Sequence, residues 1–291
     1  MRNSDDVDRP KCTIIITATQ LDVRATARGY VVAAPDGLPM PGGLGGTWVL
    51  HNRPGDGAGD VHADADDIAF VAIVAKCVAA LQVPLSGQLL LAGYSLGAKF
   101  ACRLACAPPP GLRVVAAALA AGVQAEAGDA CGAPVATLLF QGGQDSQVPF
   151  CARASRLGPL SYEATASHFA ALAARNGVAA TAPPEQLCSA LGDGVMYSYR
   201  PPPGAPQGAA AAAVLFWLPG GGHVWPRQPL PGCVGDGTEV ALAFFGQQLR
   251  GGGGAVQSPV PRAACAALVA CPQRAGPCER GSRGGDGTTF R

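Results

Sequence analysis

Gln88-Leu89-Leu90-Leu91-Ala92-Gly93-Tyr94-Ser95-Leu96-Gly97-Ala98-Lys99-Phe100 is the stretch that decides how the rest of this chain reads. Residues 88–92 form a short apolar run of strand length, and residues 96–105 have the composition of a helix. Between them stands Gly93-Tyr94-Ser95-Leu96-Gly97, a match to Gly-x-Ser-x-Gly. A strand that turns directly into a helix strains the residue at the corner and lifts its side chain clear of the sheet. Glycines on either side remove the clashes around that corner. Ser95 is therefore the candidate nucleophile. The alternative is a plain Gly-Ser turn; against it, strand and helix abut the motif without a gap. A helix starting at Leu96 also aims backbone N–H groups at the corner, so the Leu96 N–H is a candidate donor to an oxyanion.

Working outward, Asp64, Asp66 and Asp67 open a helix, acids standing where the helix dipole favours them. Phe70, Val74, Cys77, Val78 and Leu81 recur at helical spacing before Pro84 and Gly87 stop it. Residues 38–62, rich in Gly, Pro and Asp, read as a long loop. Residues 28–36 read as a buried strand ending in the turn signal Pro35-Asp36-Gly37. On the other side of the motif, residues 114–121, 134–140, 195–199 and 212–218 are strand candidates. Residues 161–176, ended by Gly177, and 238–249 are helix candidates. Strands alternating with helices predict an α/β fold whose sheet is mainly parallel and covered by helices on both faces. Beyond residue 250 the pattern fails. The expected organisation is one catalytic domain over residues 1–250 and a Gly-, Cys- and Arg-rich disordered tail over 251–291.

A serine hydroxyl needs a base, and the base needs an orienting acid. Asp145 follows the strand at 134–140 in Phe140-Gln141-Gly142-Gly143-Gln144-Asp145-Ser146-Gln147-Val148-Pro149. Open α/β sheets carry their sites at the carboxyl ends of strands, so the position suits an acid; an Asx turn is the alternative. His223 follows the next strand in Pro219-Gly220-Gly221-Gly222-His223-Val224-Trp225-Pro226, where three glycines free the backbone to present an imidazole. His51 and His62 fall in the long loop and His168 inside a helix, which suits a base less well. Ser95, Asp145 and His223 thus form a candidate triad in the chain order of α/β-hydrolases. Tyr94 and Trp225 are candidates for substrate binding. Trp225, two residues past the base, either flanks a cleft as a stacking surface or belongs to the core or a lid.

Composition narrows the partners. The chain has 291 residues, 14% of them charged, and a formal net charge of +1, which leaves no electrostatic footprint for nucleic acid. No run of 18 apolar residues exists, so no membrane span is expected. The N-terminal ten residues are polar and do not read as a signal peptide. The 11 cysteines include no Cys-x-x-Cys pair and no zinc spacing, so no metal or cofactor is expected; their number favours an oxidising compartment, with connectivity undetermined.

With these motifs in hand, the chain resembles the secreted polyhydroxybutyrate depolymerase and feruloyl esterase family. The matching pieces are residues 21–37, Asp66-Asp67-Ile68-Ala69-Phe70, the Gly-Tyr-Ser-Leu-Gly elbow, Gln141 to Phe150, Ala174-Arg175-Asn176-Gly177 and Gly220-Gly221-Gly222-His223-Val224-Trp225-Pro226. They run in family order over about residues 17–250. The resemblance implies an α/β-hydrolase fold, Ser95 as nucleophile, Asp145 as acid and His223 as base. It also implies a secreted carboxylic-ester hydrolase acting on polyesters or feruloylated plant polysaccharide. A peptidase or lipase-like hydrolase with the same triad, and a catalytically impaired binding protein, are the alternatives. The family's early His-Gly loop, which supplies an oxyanion N–H, has no counterpart. Residues 11–17 read Lys-Cys-Thr-Ile-Ile-Ile-Thr instead, and Leu96-Gly97-Ala98 departs from the family's small polar residues. N-terminal strands missing or altered relative to the family account for the loop; a non-catalytic descendant accounts for loop and elbow together. The expectation is an intact triad, one oxyanion donor at Leu96, a second unassigned, and weak or silent activity.

Overall fold

A computed structural model describes residues 20–39, 46–48, 65–81, 88–123, 133–150, 165–178, 185–189, 192–199, 211–230 and 235–249. The tail at 251–291, residues 11–17, most of the expected 38–62 loop, His51 and His62 lie outside these residues. The described chain falls into two units: residues up to Gln88 together with Pro109–Leu112, and the remainder.

The first unit holds helix α1 (Leu21–Thr26), strands β1 (Leu38–Pro39) and β2 (Gly46–Thr47), and helix α2 (Asp67–Ala80). β1 and β2 pair antiparallel, Leu38 opposite Thr47. α2 starts as the sequence predicts: Asp66 caps it, its carboxylate accepting from the Ala69 N–H at 2.9 Å. Cys77 and Leu81, part of the expected apolar stripe, are exposed. The strand expected at residues 28–36 is not there. A turn occupies residues 27–29, and the rest is irregular, with Val31 44% exposed. β-branched residues express a preference, but a strand exists only through ladder partners, and no described ladder reaches this segment.

The second unit is built on one six-stranded sheet in the order β3-β4-β5-β8-β7-β6. Its strands are β3 (Gln88–Tyr94), β4 (Arg113–Ala120), β5 (Ala136–Gly142), β6 (Glu185–Ser189), β7 (Gly192–Tyr199) and β8 (Ala213–Leu218). β4, β5 and β8 are parallel neighbours, while β7 runs antiparallel to β8 and β6 to β7. The sheet is mainly parallel, as expected, with an antiparallel β6–β7 pair at its edge. Alternation of strands with helices does not report that β6 and β7 follow one another without a helix, and a short connection of that kind reverses direction. Every residue of β5 is buried. Successive side chains point to opposite faces, so both faces of the sheet are covered there.

Among the described residues, three helices cover this sheet: α3 (Leu96–Cys106), α4 (Thr165–Arg175) and α5 (Gly237–Leu249). α3 packs on β4, α5 on β4 and β5, and α4 on β8. Phe140, Phe169, Phe216, Phe244, Leu119 and Leu138 lie fully buried between the layers. Each such side chain contributes about 1.5–3 kcal/mol by leaving water. Asn176, in the Ala-Arg-Asn-Gly stretch, has a structural job. It is fully buried, and its amide donates to the Val135 carbonyl at 2.8 Å and the Ala212 carbonyl at 3.4 Å, tying together the starts of β5 and β8. Gly177 then leaves the helix at φ 66°, a left-handed exit that suits glycine. Among the described residues no helix is long and apolar enough to cross a membrane.

Candidate active site

Ser95 sits at the corner between β3 and α3 with φ 53° and ψ −121°. A non-glycine residue in that region costs about 1–3 kcal/mol, so its surroundings must hold it there. They do so through the backbone. The Ser95 N–H donates to the Ala120 carbonyl at 2.8 Å, and the Ala121 N–H to the Phe140 carbonyl at 2.9 Å. These bonds align the carboxyl ends of β3, β4 and β5. Gly93 and Gly122 permit the close approach: a Cβ on Gly93 would overlap the Gly97 carbonyl, and one on Gly122 would stand 2.6 Å from the Ser95 carbonyl oxygen.

Asp145 arrives from the end of β5 and His223 from the end of β8. Because these strands are parallel neighbours, with Gly142 opposite Leu218, their following loops leave side by side. The Gly143 N–H donates to the Leu218 carbonyl at 2.7 Å and the Gln144 N–H to the Gly221 carbonyl at 2.8 Å. A side chain at position 142 would collide with the carbonyls of Gly221 and Gly222, which explains the glycine there.

The three candidate residues meet. His223 Nε2 lies 2.8 Å from Ser95 Oγ, and His223 Nδ1 lies 2.8 Å from Asp145 Oδ2. The Asp145 side chain is fully buried and that of His223 is 9% exposed. Burial by itself raises the carboxyl's pKa. Hydrogen bonds from His223 and the Val148 N–H, the His223 charge, and the Gln147 N–H outweigh it and hold the group below the ordinary carboxylate value. An ionised carboxylate only accepts, so Nδ1 carries the proton in the neutral imidazole. That leaves the Nε2 lone pair facing the serine hydroxyl.

Asp145 is fully engaged. Oδ1 accepts from the N–H groups of Gln147 at 2.9 Å and Val148 at 2.8 Å. Oδ2 accepts from the Gln141 amide at 3.3 Å besides His223. Gln141 is 1% exposed and also donates to the Val148 carbonyl at 2.9 Å. Sequence reasoning missed Gln141. The only signal was its place at the end of a strand one turn ahead of the acid. It missed Lys99 as well, a residue 9% exposed in the first turn of α3, whose burial lowers its pKa to about 8.

Two expected substrate contacts are placed differently. Trp225 is 6% exposed, with its indole N–H donating to Thr238 Oγ1 at 3.1 Å and its ring edge-on to Phe140. It is a core residue here, because the chain past His223 dives back under the start of α5, where the Gly237 N–H meets the Pro226 carbonyl. Tyr94 is partly buried, and its hydroxyl donates to the His223 backbone carbonyl at 2.7 Å. His168 lies on α4. The Leu96 N–H belongs to the first turn of α3, where no intrahelical acceptor exists, at the positive end of the helix dipole. The region expected to lack the second oxyanion donor falls outside the described residues. The chain matches no protein-family model and no curated protein, so its chemistry is argued from its own geometry.

Proposed function

We propose that this chain is a serine hydrolase of the α/β-hydrolase type that cleaves carboxylic esters through an acyl-enzyme. The observation that carries the reading is the continuous hydrogen-bonded series Ser95–His223–Asp145, both links 2.8 Å, with the serine in a strained left-handed conformation. In the first step the Ser95 oxygen bonds to the ester carbonyl carbon while its proton passes to His223 Nε2. Asp145 stabilises the resulting imidazolium. The carbonyl oxygen, now negative, faces the Leu96 N–H. His223 then returns its proton to the departing alcohol oxygen as the carbon–oxygen bond breaks. A water repeats the sequence on the acyl-serine and releases the acid. No metal or other cofactor takes part in this scheme.

The substrate class rests on the resemblance to polyhydroxybutyrate depolymerases and feruloyl esterases: polyesters or feruloylated polysaccharide, met outside the cell. The disulfide-bonded Cys106 at the end of α3 supports an oxidising compartment. The test uses a fluorophosphonate probe, a panel of p-nitrophenyl acyl esters and methyl ferulate. The expected result is labelling at Ser95, hydrolysis of at least one ester, and loss of both in Ser95→Ala. A wild-type chain that neither labels nor hydrolyses overturns the reading in favour of a binding role for the fold.

A further inference from the structure

The loop that carries His223 is closed internally by two backbone bonds, from the Gly221 N–H to the Leu218 carbonyl at 2.9 Å and from the Val224 N–H to the Gly222 carbonyl at 3.1 Å. It runs through three consecutive glycines, and among the described residues a Cβ on Gly220 or Gly222 would meet nothing within 4 Å. Other backbone bonds tie it to the acid's loop and to the start of α5. Its tie to the serine's strand is different in kind: the Tyr94 hydroxyl donates to the His223 carbonyl at 2.7 Å, across 129 positions of sequence. The Tyr94 ring also leans on the imidazole, centroids 5.2 Å apart and planes tilted by 47°. Tyr94 is the residue immediately before Ser95, so one side chain couples the backbone of the serine to the backbone and ring of the histidine. Burial and the Asp145 charge both raise the phenol's pKa, which keeps the hydroxyl a donor across the working pH range.

We infer that Tyr94 is a positioning residue that sets the distance between His223 and Ser95, rather than a substrate contact. The inference rests on the reading of Ser95 as nucleophile and deepens it. The phenol oxygen is committed to a backbone carbonyl, and its removal frees the glycine-rich loop to drift away from the serine. A displacement of about 1 Å at reacting groups costs on the order of 10²-fold in rate, and loss of one tether in a loop held elsewhere moves it by less, so a drop of about tenfold is expected.

The test compares wild type with Tyr94→Phe, which keeps the ring and removes one oxygen. Three quantities are measured: the rate of fluorophosphonate labelling of Ser95, kcat and KM on a p-nitrophenyl ester, and the imidazole nitrogen spectrum of His223 in protein labelled at histidine. Labelling and kcat lowered about tenfold with KM unchanged support the inference. A lowered melting temperature with wild-type labelling and kcat shows a merely structural tie and overturns it. A raised KM with unchanged kcat shows a substrate contact and also overturns it. If wild type does not label at all, the hydrolase reading fails on its own. The positioning role is then judged by the His223 spectrum: altered tautomer balance or exchange broadening in Tyr94→Phe supports it, and superimposable spectra overturn it.

Discussion

The two glycines of the elbow look equivalent in the motif, yet they should respond oppositely to a methyl group. At Gly93 an added Cβ would overlap the Gly97 carbonyl and lie 2.7 Å from Ala98 Cα, whereas at Gly97 it would meet nothing among the described residues within 4 Å. The three atoms nearest that Cβ at position 93 are backbone, so no side chain can swing aside. Restoring an ordinary 3.4 Å contact with Ala98 requires the strand and helix to part by at least about 0.7 Å, the Gly97 carbonyl standing closer still. If that movement is taken up at Ser95, its separation from His223 Nε2 grows from 2.8 Å to about 3.5 Å, beyond a working hydrogen bond. Gly93→Ala should therefore lower kcat on the order of 10²-fold. It should also destabilise by about 1–3 kcal/mol, as overpacking does. Gly97→Ala places a methyl in open space within a helix, where exchanging glycine for alanine stabilises by about 0.5–1 kcal/mol. Its kcat should stay within about threefold of wild type, since the reacting atoms are not displaced. Steady-state hydrolysis of a p-nitrophenyl ester and thermal unfolding of both variants provide the assay. Equal damage from both substitutions, or a harmless Gly93→Ala, would refute the close-approach argument.

Asp145→Asn should reduce kcat by about 10⁴-fold: one amide orientation sets an NH₂ against the Gln147 and Val148 N–H groups, the other against His223 and the Gln141 amide. The second orientation inverts the imidazole tautomer, and both remove the carboxylate charge that stabilises the imidazolium; kcat at saturating ester checks this. Lys99 releases its proton near 8 in the folded chain against 10.5 when solvated. The cost of burying its charge is present below about pH 8, the folded value, and relieved as pH rises toward the unfolded value. Stability should rise by about 3 kcal/mol across that window, and urea unfolding of Lys99→Met should show a flatter dependence. Trp225→Phe breaks the bond to the buried Thr238 hydroxyl and should cost about 1 kcal/mol of stability, measured by denaturation. It should leave KM for methyl ferulate unchanged, and a selective rise in that KM would return Trp225 to the substrate.

Much of the fold was legible because its signals are local. Turn glycines and prolines, the Asp66 cap and runs of apolar residues each act over a few positions, and they mark α2, α3, β3, β4, β5 and β8 to within a few residues. The strand expected at 28–36 failed on the same ground: its composition is local, but pairing is not. β6 escaped notice because Glu185–Ser189 carries no alternating apolar pattern and owes its assignment to the partner strand β7.

The site divides along the same line. Residue type and chain order alone mark which residues are chemically able to serve: a serine at a strand-to-helix corner, then an acid and a histidine at later strand ends. That they meet follows from the fold, because the meeting depends on β5 and β8 lying parallel and adjacent, a relation between segments some 75 residues apart. Burial decided the rest. Trp225 and Tyr94 each stand within two residues of a triad member in sequence, yet the fold packs the first against Phe140 and gives the second's hydroxyl to His223. Which groups are taken out of water, and what they find as partners when they are, follows from how distant segments are brought together, and no local pattern encodes it.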